Sequence, residues 1–242
     1  PAIGPNHPDA LAKRQAVHEA AGLVAISFPV ADDTVRFANR SALVAQCGGS
    51  EHCQRVIGRG LEHFRTTRNL LANPYLLTVG QRGLYKNVQT LYQAWQFFPP
   101  MDLPLLLVQV GGEEDLPQDR AFDRAFPGIR RRMTLTDAEL SAAYSGAVAL
   151  VYPSLFEGFG LPVVEAMSCG CPVIGGEAVA EIANGALIYT DVTRPRLIAS
   201  AVQAALDPAT ALQCAMEGYE RAKEYTWERM AAQVAAEIRR IA

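Results

Sequence analysis

Short apolar runs that do not alternate with polar residues punctuate this chain. Tyr75–Val79, Leu105–Val110 and Ala147–Tyr152 are the clearest, and Leu23–Ile26, Arg131–Thr134, Pro172–Ile174 and Ala186–Tyr189 complete the set of expected strands. A strand that is apolar on both faces must be covered on both faces, which is its situation inside a parallel sheet. The intervening stretches have helical character. Asn87–Phe98 sets Val88, Leu91, Tyr92 and Trp95 on one stripe. Thr136-Asp-Ala-Glu139 has the spacing of a capping box and opens a helix through Tyr144. Leu161–Ser168 follows a glycine-rich turn and carries Pro162 in its first turn, and Arg194–Leu206, Ala211–Lys223 and Trp227–Ile241 continue the pattern. Strand–helix alternation of this kind predicts a doubly wound α/β domain. A polar connector is expected near residues 58–72, and ahead of it only one strand–helix unit is legible.

Composition narrows the function classes. Half of the 242 residues are hydrophobic, enough for a sizeable core, and the net charge of −3 provides no overall field for nucleic acid or an anionic membrane. No apolar run reaches membrane-spanning length, and no basic-then-apolar leader is present. Five cysteines are an odd number, and Cys169-Gly-Cys171 is too tight for half of a zinc site, so free thiols in a reducing cytoplasm are expected, with no metal centre. Solvated or capping roles are expected for His7, His18, His52 and His63.

The chemistry concentrates in Pro153-Ser-Leu-Phe-Glu157-Gly-Phe-Gly160-Leu-Pro-Val-Val-Glu165. A strand runs into a glycine-rich loop, and the loop opens a helix. Backbone N–H groups at such a helix start can hold an anion, here at Gly158, Phe159, Gly160 and Leu161. Two carboxylates, Glu157 and Glu165, would repel a phosphate they faced, but they suit pairs of vicinal hydroxyls such as sugars and riboses present. A second turn, Gly80-Gln-Arg82-Gly-Leu-Tyr-Lys86, also joins a strand to a helix, and a cation at Lys86 opposes the helix dipole unless an anion is present. Gly111 and Gly112 follow a third strand.

The Glu157–Glu165 segment resembles the family 4 retaining glycosyltransferases of the GT-B fold, whose hallmark is two glutamates separated by seven residues around Glu-Gly-Phe-Gly-Leu-Pro. The resemblance runs from about Tyr75 to the C-terminal helix and includes Val79-Gly80, Lys86-Asn87, Val110-Gly-Gly112 and Trp227. It implies a complete Rossmann-like, doubly wound donor domain at 67–225, a remnant of an N-terminal acceptor-binding domain with its linker at 1–66, and a helix at 226–242 that returns toward the N-terminal domain. It implies transfer of a sugar from a nucleoside-diphosphate sugar to a glycan or lipid-linked acceptor, in polysaccharide or glycoconjugate assembly, without a metal or other cofactor and with work at the inner face of a membrane. Catalytic roles fall to Glu157, Lys86 and Arg82. Donor binding falls to Gly80, Gly111, Gly112, Gly158, Phe159, Gly160, Leu161 and Glu165. Many family members carry Arg directly after the first glycine; here Gln81 stands there and Arg82 is the nearest cation. A nucleotide-sugar-binding module without turnover and a nucleotide-sugar epimerase are the competing expectations. The several strand–helix units that the family places upstream are absent, so the chain reads as part of a longer two-domain enzyme.

Overall fold

The computed structural model describes residues 8–71, 73–112 and 114–242, with Leu84 as backbone alone; His7 lies outside the described residues. The chain divides into two compact units, one running to Gly48 and including Tyr225–Ala242, the other Gly49–Glu224.

In the first unit α1 (Pro8–Glu19), β1 (Val24–Ala25), α2 (Phe28–Ala38) and β2 (Leu43–Val44) precede Gly48. The two short strands pair in parallel, Val24 with Leu43 and Ala25 with Val44. Ser27 caps α2 by accepting from the Val30 N–H at 3.3 Å. Arg40 Nη1 donates to the carbonyls of Val17, His18 and Ala20 at 2.6–3.0 Å, placing a cation at the C-terminal end of α1, where the helix dipole favours it.

The second unit contains α3 (Arg59–Thr67), β3 (Tyr75–Val79), α4 (Val88–Ala94), β4 (Leu106–Val110), α5 (Pro117–Ala125), β5 (Arg130–Met133), α6 (Asp137–Gly146), β6 (Ala149–Tyr152), α7 (Leu161–Ser168), β7 (Val173–Gly175), α8 (Glu177–Ala183), β8 (Ile188–Tyr189), α9 (Pro195–Leu206) and α10 (Pro208–Ala222); α11 (Trp227–Ile241) belongs with the first unit. Its six strands are all parallel and lie in the order β5-β4-β3-β6-β7-β8. Counted within the sheet this is 3-2-1-4-5-6, the order of the dinucleotide-binding α/β folds. The chain begins in the middle, at β3, builds outward to β5, then returns to the other side of β3 with β6.

The apolar runs explain the sheet. Tyr75, Leu76 and Leu77 are consecutive and completely buried, as expected when helices cover both faces. Leu76, Leu107, Val151 and Ile174 meet Leu91, Trp95, Ile198 and Val202 of the helical layer in one cluster. Around Phe122 the rings of Tyr92, Trp95 and Phe126 pack with centroids 4.5–5.4 Å apart.

Three expectations change. Residues 59–67 form α3, not a loose connector; Leu61 and Phe64 give it an apolar side in an otherwise polar stretch, and α3 packs on α6. The stretch from Asn87 to Phe98 tightens after Ala94 into a 3-10 turn, Trp95–Phe97. A second strand, β2, lies beside β1; its two residues are too few to generate a period. No described helix is long and apolar enough to cross a membrane.

Leu107 is fully buried in β4, within the cluster. Leu107→Ala is expected to lower unfolding stability by about 2–5 kcal/mol. Urea denaturation checks this: the midpoint should fall while the slope is unchanged.

Candidate functional site

Ligands of open α/β sheets sit outside the carboxyl ends of the strands, where the strand order reverses. Here that point is between β3 and β6, and the two informative loops of the sequence are the ones that leave these strands. After β3 the backbone turns at Gly80, whose φ is +109°, and its N–H donates to the Val110 carbonyl at the end of β4. It then forms a 3-10 turn, Leu84–Lys86, before the left-handed Asn87 caps α4. After β6 the loop carries Leu155 and Phe156 out to solvent, presents Glu157 and enters α7 at Gly160. The Leu155 N–H donates to the Tyr85 carbonyl at 2.8 Å and so joins the two loops.

Lys86 and Glu157 meet across this junction. The ammonium donates to Glu157 Oε1 at 2.6 Å and to the Tyr152 hydroxyl at 3.1 Å, and it lies 5.3 and 5.1 Å from the ring centres of Tyr85 and Tyr152. Only 15 % of the Lys86 side chain and 9 % of the Glu157 side chain are exposed, so each charge depends on the other for compensation. This revises the sequence argument about Lys86. It stands immediately ahead of the N-cap of α4, as expected, and the anion that balances it is the protein's own Glu157.

Gly160 has φ +105°, and a side chain there would stand 3.2 Å from Val179; as N-cap it offers no side-chain acceptor to the amides of the first turn of α7. Phe159 is buried behind the loop and Leu161 is at the surface. Glu165, one turn into α7, accepts from the Tyr144 hydroxyl at 3.0 Å. Burial raises the Glu165 carboxyl above its ordinary range, and the Tyr144 hydrogen bond partly opposes the shift.

Arg82 is placed differently from the expectation. Its side chain is almost wholly buried, donates to Gln109 Oε1 at 3.1 Å and to the Glu114 carbonyl, and lies 3.5 Å from Asp119 Oδ2. Gln109, inside the otherwise apolar β4, also accepts from Arg130 and donates to the Tyr92 hydroxyl, which in turn donates to Asp119 at 2.5 Å. The carboxylate of Asp119, fully buried, needs a compensating cation, and the Arg82 guanidinium supplies it. Gly112 makes room: an added side chain would lie 3.0 Å from the Arg82 guanidinium. Gly111 stands against Gly80, with an added side chain 3.3 Å from the Gly80 carbonyl oxygen. Lys86, Glu157 and the start of α7 are thus brought together, while Arg82 and Gly112 belong to a buried network beneath the β3 loop.

Sequence reasoning missed Tyr152, Tyr144 and the Gln109–Tyr92–Asp119 network. Tyr152 and Tyr144 touch partners 66 and 21 residues away, a separation with no local pattern. Gln109 did carry a signal, as the lone amide in an apolar run. Among the described residues no group of three or more His, Cys, Asp or Glu side chains converges as metal ligands.

The chain is similar to known proteins in both sequence and fold. A family model described as glycosyl transferases group 1 matches residues 62–206, which include both loops, and the chain belongs to this family. It is 33% identical over 162 residues to O-antigen chain mannosyltransferase B of Escherichia coli, covering 64% of this chain and 42% of that protein. In fold it is similar to sucrose-phosphate synthase from Thermosynechococcus elongatus, with a TM-score of 0.79 and 24% identity over 100% of this chain and 64% of the other. It is also similar to Anabaena HepE in complex with UDP-glucose, with a TM-score of 0.81 and 16% identity over 93% and 66%. The fold is α/β of the GT-B type. The chain spans less than half the length of the mannosyltransferase it matches.

Glu165 provides a pH test. Its folded-state value lies above the unfolded one, so its stabilising contribution is present below the ordinary carboxylate range and is lost as pH rises through the folded value. Glu165→Gln, neutral throughout, should melt higher than wild type at pH 8, and the difference should close toward pH 4. Thermal melts at the two pH values check it; a pH-independent difference contradicts it.

Proposed function

We propose that the protein is a retaining glycosyltransferase that moves a sugar from a nucleoside-diphosphate sugar to an acceptor. The observation that carries this reading is the meeting of Lys86 and Glu157 beside the start of α7, at the point where the strand order of the sheet reverses. Mannose is the sugar class to which the names of the Escherichia coli relatives point, and the complex of HepE with UDP-glucose supports a nucleotide sugar as donor.

In this reading, departure of the leaving group builds negative charge on the diphosphate, and the Lys86 ammonium with the backbone amides of Gly158–Leu161 stabilises it. Glu157 accepts from hydroxyls of the donor sugar, and Glu165 takes the paired hydroxyls of the ribose. Gly80 and Gly111 shape the nucleotide side of the cleft. Arg82 anchors the β3 loop through Asp119 and Gln109, so the cation at the diphosphate is Lys86. The chemistry is positioning and electrostatics; the reading assigns no protein nucleophile and no metal. The acceptor is a glycan or lipid-linked glycan in polysaccharide assembly, met at the cytoplasmic face of a membrane.

Isothermal calorimetry with GDP-mannose and UDP-glucose tests it. Lys86→Met and Glu165→Ala should each weaken binding of the preferred donor by about 10–100-fold, the worth of one charge-assisted hydrogen bond. Unchanged affinity in both variants, with melts showing them folded, overturns the site assignment.

A further inference from the structure

Lys86 is held by more than its carboxylate. A lysine side chain has many rotamers to lose, so an ammonium that must meet a ligand at a fixed place gains from being immobilised beforehand. Glu157 alone would fix one N–H direction, and Glu157 itself stands on a loop. Tyr152 is different. It is the last residue of β6, is 3 % exposed, and pairs in register with Gly175 of β7, so the sheet sets the position of its hydroxyl. That hydroxyl accepts from Lys86 Nζ at 3.1 Å, and its ring lies 5.1 Å from the same nitrogen.

We propose that Tyr152 is a positioning residue for the Lys86 ammonium: with Glu157 it takes two of the three N–H groups and directs the third at the diphosphate of the donor. The inference rests on the nucleotide-sugar reading of the site. The phenol suits the task because it accepts a hydrogen bond without adding a charge. Burial, and then the neighbouring Glu157, push its pKa well above the ordinary tyrosine value, so it stays a neutral hydroxyl over the working range. A second carboxylate in its place would hold Lys86 more strongly but would repel the ligand.

The test is a double-mutant cycle in the full chain, with GDP and UDP as probes and calorimetry as readout. Tyr152→Phe keeps the ring and removes only the hydroxyl; it should melt within a degree or two of wild type and bind the preferred diphosphate about 3–10-fold more weakly. In a Lys86→Met background the same change should have no further effect, because the group it acts through is gone. A purely structural role would move the melting temperature and would leave its effect intact in that background. Wild-type affinity in Tyr152→Phe, or a loss that adds to that of Lys86→Met, overturns the inference while leaving the nucleotide-sugar reading in place. Failure of both diphosphates to bind wild type, or binding insensitive to Lys86→Met, overturns that reading and this inference with it.

Discussion

β3 and β6 are neighbours in the sheet although two other strands, β4 and β5, come between them in the chain. The chain leaves β3 to build one half of the sheet and leaves β6 to build the other. Two loops therefore part from adjacent strand ends, and nothing in the connectivity fills the space between them. The site follows from this constraint. A cation from one loop and a carboxylate from the other face each other there, at the start of α7. Sheet packing decides where these groups stand, because the strands that lead to them are buried on both faces over nearly all their length and cannot slide without moving the core.

Below the site the protein spends polar groups where an apolar core would be simpler. Gln109, Tyr92, Asp119, Arg82 and Arg130 form a buried hydrogen-bonded network under the β3 loop. A network of this kind is costly when half satisfied and specifying when complete. Here it fixes the loop that carries Lys86 to β4 and α5, and it engages the Arg82 guanidinium with partners inside the protein.

Much of the architecture was legible because its signals are local. Tyr75–Val79 is a strand over the same residues in sequence and structure, as are the helices at Leu161–Ser168 and Trp227–Ile241, and the Thr136–Glu139 capping box closes as its spacing implies. The elements that escaped have weak local signals: α1, α3 and α5 are polar stretches, α8 is seven residues long and β2 two. At the site, residue types and loops were legible, while side-chain pairing was not. That Lys86 would find Glu157 depends on a contact across 71 residues, and that Arg82 would find Asp119 depends on a buried acid with no pattern to announce it.

The ion pair between Lys86 and Glu157 also bears on how such a chain can change. Exchange of either loop alone with that of a relative lacking the matching charge would strand a largely buried ion, a loss on the order of 3 kcal/mol. The two loops therefore form one heritable cassette split across the sequence. Leu155 and Phe156, on the solvent side of the same loop, take no part in this ion pair and can vary without stranding either charge.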